Sequence, residues 1–424
     1  MMREIIPLSG PLNASPALPG SKSITNRALI CAALAAGESC ISNASDCDDT
    51  ALMVNGLNQL GILVRRSGPD LIVEGGGGRV FGPKYPIPVG NGGTTFRFLF
   101  ALAALADRGV TFEAGGRMTE RPVDSLLDAF RDLGVNTEAM PFAGRFAVGG
   151  GGLRGGAVMI RGEESSQFIS AVLMVSPYAS DTVRITVPGK LVSAPYVQMT
   201  IDIMKTFGVQ VQESSGVFEV IPVKYRPARL MVEPDLSAAA IFLSAGLLAG
   251  GTLRFAGSLQ STVQGDTRIF DLLQQTGASM ERPNPGEVRF HNGDTGAFHG
   301  IDADLGATPD LVPPLACAML FAESPSFLRN IAHLRHKESD RLDVLVREIR
   351  KLGGEISVEG DGLEIRPSRL HGAGLDPEDD HRLAMSLALT GLRVPGVTLN
   401  NPGCVKKSFP GFWEQFALLE GKGD

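Results

Sequence analysis

The feature that most constrains this chain is a recurrence of helix stops. Apolar helical stretches end at glycine in Asn58-Gln59-Leu60-Gly61, Arg131-Asp132-Leu133-Gly134, Lys205-Thr206-Phe207-Gly208, Gln275-Thr276-Gly277 and Lys351-Leu352-Gly353. A glycine just past a helix can take the left-handed conformation that closes it. Successive stops lie roughly 70 residues apart, which marks an internal repeat. One more interval reaches Gly421, after a helical stretch at 413–420. No strand follows that stretch, and residues 3–8 are expected to supply it from the other terminus.

A second marker runs in phase with the first. Polar or Gly-rich stretches that open an apolar helix recur near 22, 93, 165, 235, 310 and 380. The chain therefore reads as six units, each with two helices and several short strands. Its 424 residues are too many for one core, so two domains of three units each are expected. The break falls near Glu233-Pro234-Asp235. If the N-terminal strand completes the sixth unit, residues 1–20 join 237–424 in one domain, and 21–236 form the other. The chain then crosses between domains twice, and the cleft between them is the expected ligand site.

Composition narrows the function. Hydrophobic residues make up 43% and charged residues 20%, as in a soluble globular protein. No apolar run reaches 18 residues, and the first residues lack a signal-peptide core, so a cytoplasmic protein without a membrane span is expected. The net charge of −7 argues against a nucleic-acid binder. An anionic small substrate remains open, provided that the basic residues gather locally. Five dispersed cysteines and six histidines make a disulfide framework or a structural zinc site unexpected. Cys31 and Cys317 lie in apolar runs and read as core residues.

The polar motifs share one place in the repeat. Ser21-Lys22-Ser23-Ile24-Thr25-Asn26-Arg27 precedes a helical run at 28–36 that Gly37 ends. Ser23 and Arg27 are four apart and share a face. Free N–H groups, the helix dipole and two cations meet there, which suits phosphate or carboxylate. A capped surface helix with solvated charges is the plainer alternative. Gly90-Asn91-Gly92-Gly93-Thr94-Thr95-Phe96-Arg97 opens the next such helix, at 98–106. Its glycines allow close approach to the backbone, but no Walker lysine follows. Ser165-Ser166-Gln167 opens the third and suits hydroxyl or phosphate oxygens. In the fourth slot, Asp235 and its neighbours read as caps at the crossover. Pro309-Asp310 opens the fifth, with Pro313 and Pro314 in its first turn, and Asp379-Asp380-His381-Arg382 the sixth.

The second helix of each unit also opens on charge. The starts are at Asp46-Cys47-Asp48-Asp49, Glu120-Arg121-Pro122, Ser193-Ala194-Pro195-Tyr196, Gln264-Gly265-Asp266, Lys337-Glu338-Ser339-Asp340-Arg341 and Lys406-Lys407-Ser408. Helix N-termini normally favour acids. Here Lys22, Arg27, Arg97, Arg121, Lys337, Arg341, Arg382 and Lys407 stand at or near starts, so an anionic ligand is expected to offset the dipole. Asp310 and Glu338 stand among these cations, where acid–base chemistry could use them. A cap or a salt bridge would serve as well.

The motifs PGSKSITNR (19–27), GNGGTTFR (90–97), RMTERP (117–122), SSQF (165–168), SAPY (193–196), QGD (264–266), PD (309–310), KESDR (337–341), DDHR (379–382) and KKSFP (406–410) occur in this order. Together they resemble the 3-phosphoshikimate 1-carboxyvinyltransferase (5-enolpyruvylshikimate-3-phosphate synthase) family, over 18–416. The resemblance implies an α/β (α+β) two-domain fold of six βαβαββ repeats, three per domain. It implies attack of the 5-hydroxyl of shikimate-3-phosphate on C2 of phosphoenolpyruvate, then loss of phosphate, without metal or organic cofactor. It places Lys22, Asn91, Gly93, Arg121, Gln167, Arg341, Arg382 and Lys407 at phosphoenolpyruvate. It places Lys22, Ser23, Arg27, Ser165, Ser166, Gln167, Ser193, Asp310, His333 and Lys337 at shikimate-3-phosphate. Asp310 is then the expected base at the 5-hydroxyl, and Glu338 the proton shuttle at C3, with Lys22 a further candidate. A monomer acting on small molecules, away from nucleic acid and membrane, is expected.

Three positions depart from the family's pattern. His333 stands where many members carry Asn, and its donor capacity is expected to depend on pH. Phe98 stands where many carry Pro, and Gly92 where Ala is common. Both are expected beside the phosphoenolpyruvate site. Gly93 leaves room for glyphosate, so sensitivity is expected. UDP-N-acetylglucosamine enolpyruvyl transferases are the nearest alternative. They carry Lys-Asn where this chain has Lys22-Ser23, and usually a Cys on the loop that here reads 115–120 without one. A non-catalytic anion-binding relative is the other.

Overall fold

The computed structural model describes residues 2–421 apart from 258, 260–261 and 292–296. The chain divides into two compact units, an inner one of Gly20–Glu233 and an outer one of Met1–Pro19 with Pro234–Asp424. Each unit ties its own two ends together. In the inner unit the Ser21 N–H donates to the Glu233 carbonyl at 2.8 Å, and in the outer unit the Asp235 N–H donates to the Pro19 carbonyl at 2.9 Å.

The inner unit holds three repeats with two helices each. They are α1 (Lys22–Leu34) and α2 (Asp48–Gln59), α3 (Gly93–Ala103) and α4 (Asp124–Asp132), and α5 (Ser166–Val175) and α6 (Ala194–Thr206). Each repeat also has a four-stranded sheet. In the second repeat, Ile87–Gly90 runs parallel to Val110–Ala114, and Arg145–Val148 pairs antiparallel with both Val110–Ala114 and Thr137–Met140. The third repeat follows the same order. In the first, the leading strand comes from the far end of the unit, where Arg229–Met231 lies parallel to Ala36–Ser42.

The outer unit repeats the pattern with α7 (Leu236–Ala249), α8 (Ile269–Gln275), α9 (Val312–Met319), α10 (Arg341–Lys351), α11 (His381–Gly391) and α12 (Phe412–Phe416). Here the N-terminus supplies two strands. Leu12–Ala14 leads the fourth repeat, parallel to Gly251–Arg254. Met2–Glu4 pairs antiparallel with Thr398–Asn400 in the three-stranded sheet of the sixth. The strand expected at 3–8 is therefore shorter and earlier, and the strand at 12–14 carries no alternation long enough to announce it.

The first helix of each repeat is the buried one. In α7 every residue from Leu236 to Leu248 is buried, and in α3, α5, α9 and α11 nearly all are. A helix that is apolar all round belongs inside. The second helices α2, α4 and α10 bury one face only. The five repeat-ending glycines have φ of 81° (Gly61), 84° (Gly134), 86° (Gly208), 76° (Gly277) and 83° (Gly353), which is the left-handed close that their spacing implied. Gly421 differs, since its N–H reaches the Pro7 carbonyl at 3.1 Å. Among the described residues no helix is long and apolar enough to cross a membrane.

Several boundaries correct the sequence reading: α3 spans Gly93–Ala103 rather than 98–106, and α12 Phe412–Phe416 rather than 413–420. Helix α1 starts at Lys22 rather than Ala28, and Gly37 lies inside a strand rather than at a helix stop. Ser21 caps the helix, and the polar residues Thr25, Asn26 and Arg27 of its first turns are buried rather than solvated. Lys407 does not open a helix; it ends the 3-10 turn Pro402–Lys407.

Candidate functional site

Helix α1 presents Lys22 in its first turn. Lys22 Nζ lies 2.7 Å from Asp49 Oδ2, both largely buried. The hydroxyl of Thr95 on α3 donates to the Asp49 carbonyl at 2.9 Å, so three helix starts meet at this ion pair. Next to it on α3 is Gly93. A Cβ there would fall 2.5 Å from Arg121 Nη1, so the missing side chain is what admits the Arg121 guanidinium. Arg97, also buried, donates to Gln167 Oε1 at 2.5 Å and to the Pro122 carbonyl at 3.3 Å. Its guanidinium also lies over the Phe168 ring. Gln167 and the Arg121-Pro122 turn are thus held by one cation.

Arg27 is 2% exposed. It donates through Nε to Thr200 Oγ1 at 2.7 Å and through Nη1 to the Ser23 carbonyl at 2.9 Å. Its Nη2 is buried with no partner among the described residues. The guanidinium sits 5.2 Å from the Phe98 ring and 5.9 Å from the Tyr196 ring. Burial lowers it to about 10, against the opposing pull of Tyr196 and Cys31, and it stays charged at neutral pH. A buried cation with an unused donor is costly unless an anion completes it. Phe98 therefore packs on Arg27.

The three serines play different parts. Ser165 caps α5 by accepting the Gln167 N–H at 3.3 Å. Ser166, 5% exposed, is left over from that cap. Ser193 stands before α6 at φ 55°, a left-handed conformation unusual for a residue with a Cβ.

In the outer unit the acids and cations form one node. Arg341, 2% exposed, is held by three carboxylates. Asp380 Oδ2 lies 2.7 Å from Nε, Asp310 Oδ1 2.9 Å from Nη1, and Glu338 Oε2 2.9 Å from Nη2. Asp310 Oδ2 also meets Arg382 Nη2 at 3.1 Å. Burial would raise the Asp310 carboxyl, but Arg382, Arg341 and Lys337 outweigh it and hold Asp310 well below the carboxylate range. Burial opposes the Arg341 charge as well, and Asp380, Glu338 and Asp310 reverse that and raise it. Asp380 caps α11 through the Arg382 and Leu383 N–H groups. Asp340 caps α10. These two dipoles are therefore met by the protein's own acids, whereas α1, α3 and α5 have no acid in the first turn.

His333 is buried, and its Nε2 has no partner among the described residues. Burial, with Lys337 and Arg341 adding to it, lowers the imidazole to about 3 against the pull of Asp310. In these surroundings the imidazole is neutral near pH 7. The fourth slot is closed by caps. Asp235 Oδ1 accepts the Ala238 N–H at 2.9 Å and Gln264 Oε1 the Leu236 N–H at 3.0 Å.

Asp49, Asp380 and Asp266 were not among the expected site residues. Asp266 accepts from the Ser237 hydroxyl, while its Oδ1 is buried without a partner among the described residues. Burial first, and the Asp310 charge second, raise it to about 7. An aspartate that titrates at 3.8 unfolded and at about 7 folded binds an extra proton in the folded state between those values. Stability then falls as pH rises through that window, by roughly 4 kcal/mol in all. Asp266→Asn is expected to remove this fall. Thermal midpoints of parent and variant should agree near pH 4 and separate, with the variant higher, by about pH 8. Parallel curves would contradict it.

The comparisons with known proteins agree with one another. The family model described as EPSP synthase (3-phosphoshikimate 1-carboxyvinyltransferase) matches residues 6–416. A 3-phosphoshikimate 1-carboxyvinyltransferase of Cupriavidus necator is 38% identical over 430 residues, covering 97% of this chain and 99% of that protein. One from Shewanella denitrificans is 38% identical over 411 residues, covering 95% of each. Among solved structures, an EPSP synthase from Acinetobacter baumannii superposes with a TM-score of 0.80 at 22% identity, over 99% of this chain and 98% of that one. The enolpyruvyl transferase NikO from Streptomyces tendae gives 0.80 at 19% identity, over 99% and 97%. These two likenesses concern the fold.

Proposed function

Since the chain belongs to the EPSP synthase (3-phosphoshikimate 1-carboxyvinyltransferase) family, we infer that it is a transferase of aromatic amino-acid biosynthesis that moves the enolpyruvyl group of phosphoenolpyruvate to the 5-hydroxyl of shikimate-3-phosphate. The observation that carries this reading is the Arg341 node. Two carboxylates suited to proton transfer, Asp310 and Glu338, are bound to the same buried guanidinium. Arg341 and Arg382 are the cations proposed to receive the substrate's charge.

That arrangement gives a sequence of events. The phosphate and carboxylate of phosphoenolpyruvate are taken by Lys22, Arg121, Arg341, Arg382 and Lys407, with Asn91, Gly93 and Gln167 beside them. As Arg341 and Arg382 turn to the substrate anion, Asp310 loses part of the positive field that holds its carboxyl low, and its proton affinity rises. Asp310 then accepts the 5-hydroxyl proton as that oxygen bonds to C2, while Glu338, aided by Lys22, delivers a proton to C3; Glu338 then removes a C3 proton as the C2–O bond to phosphate breaks and phosphate leaves. Shikimate-3-phosphate is held by Lys22, Ser23, Arg27, Ser165, Ser166, Gln167, Ser193, His333 and Lys337. The unpartnered Arg27 Nη2 and His333 Nε2 support that assignment. Fixed cations stabilise the developing charge. Action as a cytoplasmic monomer, with glyphosate competing for the phosphoenolpyruvate groups, belongs to the same proposal.

Phosphate release tests it. Release should require shikimate-3-phosphate and phosphoenolpyruvate together, and UDP-N-acetylglucosamine should not replace the former. Release with the nucleotide sugar alone as co-substrate would overturn the reading. Gly93→Ala adds a test of the site. Its Cβ would collide with Arg121 Nη1 at 2.5 Å. The KM for phosphoenolpyruvate should rise about tenfold while that for shikimate-3-phosphate changes less than about twofold. Equal changes in both would speak against the assignment.

A further inference from the structure

We propose that Glu348 is a positioning residue for phosphoenolpyruvate, acting through the segment 376–380. This rests on the reading that Arg341, Arg382 and Lys407 bind that substrate. Glu348 lies on α10, seven residues after Arg341, and so two turns along the same face. Its side chain is fully buried. One oxygen accepts from Lys351 Nζ at 2.7 Å and from the Asp376 N–H at 2.9 Å, and the other from Arg347 Nε at 2.8 Å. Arg347 reaches on to Glu378 Oε1 at 2.9 Å. Two neighbouring residues of α10 therefore grip the same short segment.

That segment is strained. Glu378 and Asp379 are consecutive left-handed residues with φ of 49° and 58°, and neither is glycine. Such a conformation persists only where its surroundings impose it. The next residue is Asp380, which caps α11 ahead of Arg382 and binds Arg341 Nε at 2.7 Å. Asp379 accepts from the Asn401 side chain, and Asn401, itself at φ 42°, precedes the turn Pro402–Lys407. Arg341, Arg382 and Lys407 thus all depend on where 376–380 is held. Glu348 and Arg347 are what hold its leading end to α10. Glu348 stands outside the ligand-contacting set, and its effect passes through backbone geometry.

The experiment is steady-state phosphate release, varying each substrate at saturation of the other, in the parent, Glu348→Ala, Glu348→Gln and Arg347→Met. Glu348→Ala leaves the half-buried Asp376 N–H without its acceptor and is expected to raise the KM for phosphoenolpyruvate about tenfold. The KM for shikimate-3-phosphate should stay within about twofold. Glu348→Gln keeps an acceptor for Asp376 and should restore most of the affinity. Arg347→Met, at a half-exposed site, should cost about threefold in the same constant. Partial unfolding would lower kcat without this split. Unchanged KM for phosphoenolpyruvate in both Glu348→Ala and Arg347→Met would overturn the proposal. So would equal rises in both constants. If Glu348→Ala does not fold, Arg347→Met decides on the same criterion. A parent inactive with both substrates would instead overturn the underlying reading.

Discussion

Asp310→Asn is expected to lower kcat for phosphate release about a thousandfold without raising the KM for phosphoenolpyruvate. The magnitude is that of losing a positioned general base. The unchanged KM follows from the charges. Asp310 sits against Arg341 Nη1 at 2.9 Å and Arg382 Nη2 at 3.1 Å. Removing its negative charge leaves those cations more available to an anion, so binding of phosphoenolpyruvate should not weaken. A residue that only organised the arginines would give the reverse pattern, a raised KM with kcat little changed. Glu338→Gln should behave like Asp310→Asn, since its carboxylate shares Arg341. Parent rates in both variants would refute the role assignments.

Arg341→Met should show the largest effect on stability. In the parent, one guanidinium neutralises Asp310, Glu338 and Asp380. Its removal leaves three close carboxylates without their common cation, and breaking a buried pair in this way costs about 3–5 kcal/mol. The pH dependence gives a second check. In the parent, Asp310 titrates below its unfolded value of 3.8, so its contribution is present above that value and fades as pH falls through the folded one. In the variant, crowding of like charges raises the carboxyls. The folded variant then binds more protons than the unfolded chain at mildly acidic pH, so its deficit should shrink on going from pH 7 to about pH 5. Denaturant midpoints at the two pH values measure this. A loss below about 1 kcal/mol at pH 7, or a deficit that grows at pH 5, would contradict the node as described.

The repeat was legible because a left-handed glycine is a local, directional signal. Gly61, Gly134, Gly208, Gly277 and Gly353 each close a helix by their own backbone freedom, whatever lies around them. The polar slots were legible for a similar reason, since an unusual cation near a helix start can be read from a few neighbouring residues. Long-range pairing was not. Leu12–Ala14 and Arg229–Met231 are three residues each, and they become strands only because Gly251–Arg254 and Ala36–Ser42 offer parallel edges. Asp49 and Asp380 escaped notice because their partners Lys22 and Arg341 lie 27 and 39 residues away in the chain. The start of α1 is hard to read because its first turns carry Thr25, Asn26 and Arg27, polar residues that only the packed fold shows to be buried.

The most direct test follows the transferred carbon. Phosphoenolpyruvate labelled with carbon-13 at C2 is incubated with the protein and shikimate-3-phosphate, and the product is examined by NMR. The label should appear as an enol ether carbon coupled to H5 of the shikimate ring, in step with released phosphate. Label that stays in phosphoenolpyruvate, or emerges as pyruvate with no ether formed, would contradict enolpyruvyl transfer to that hydroxyl.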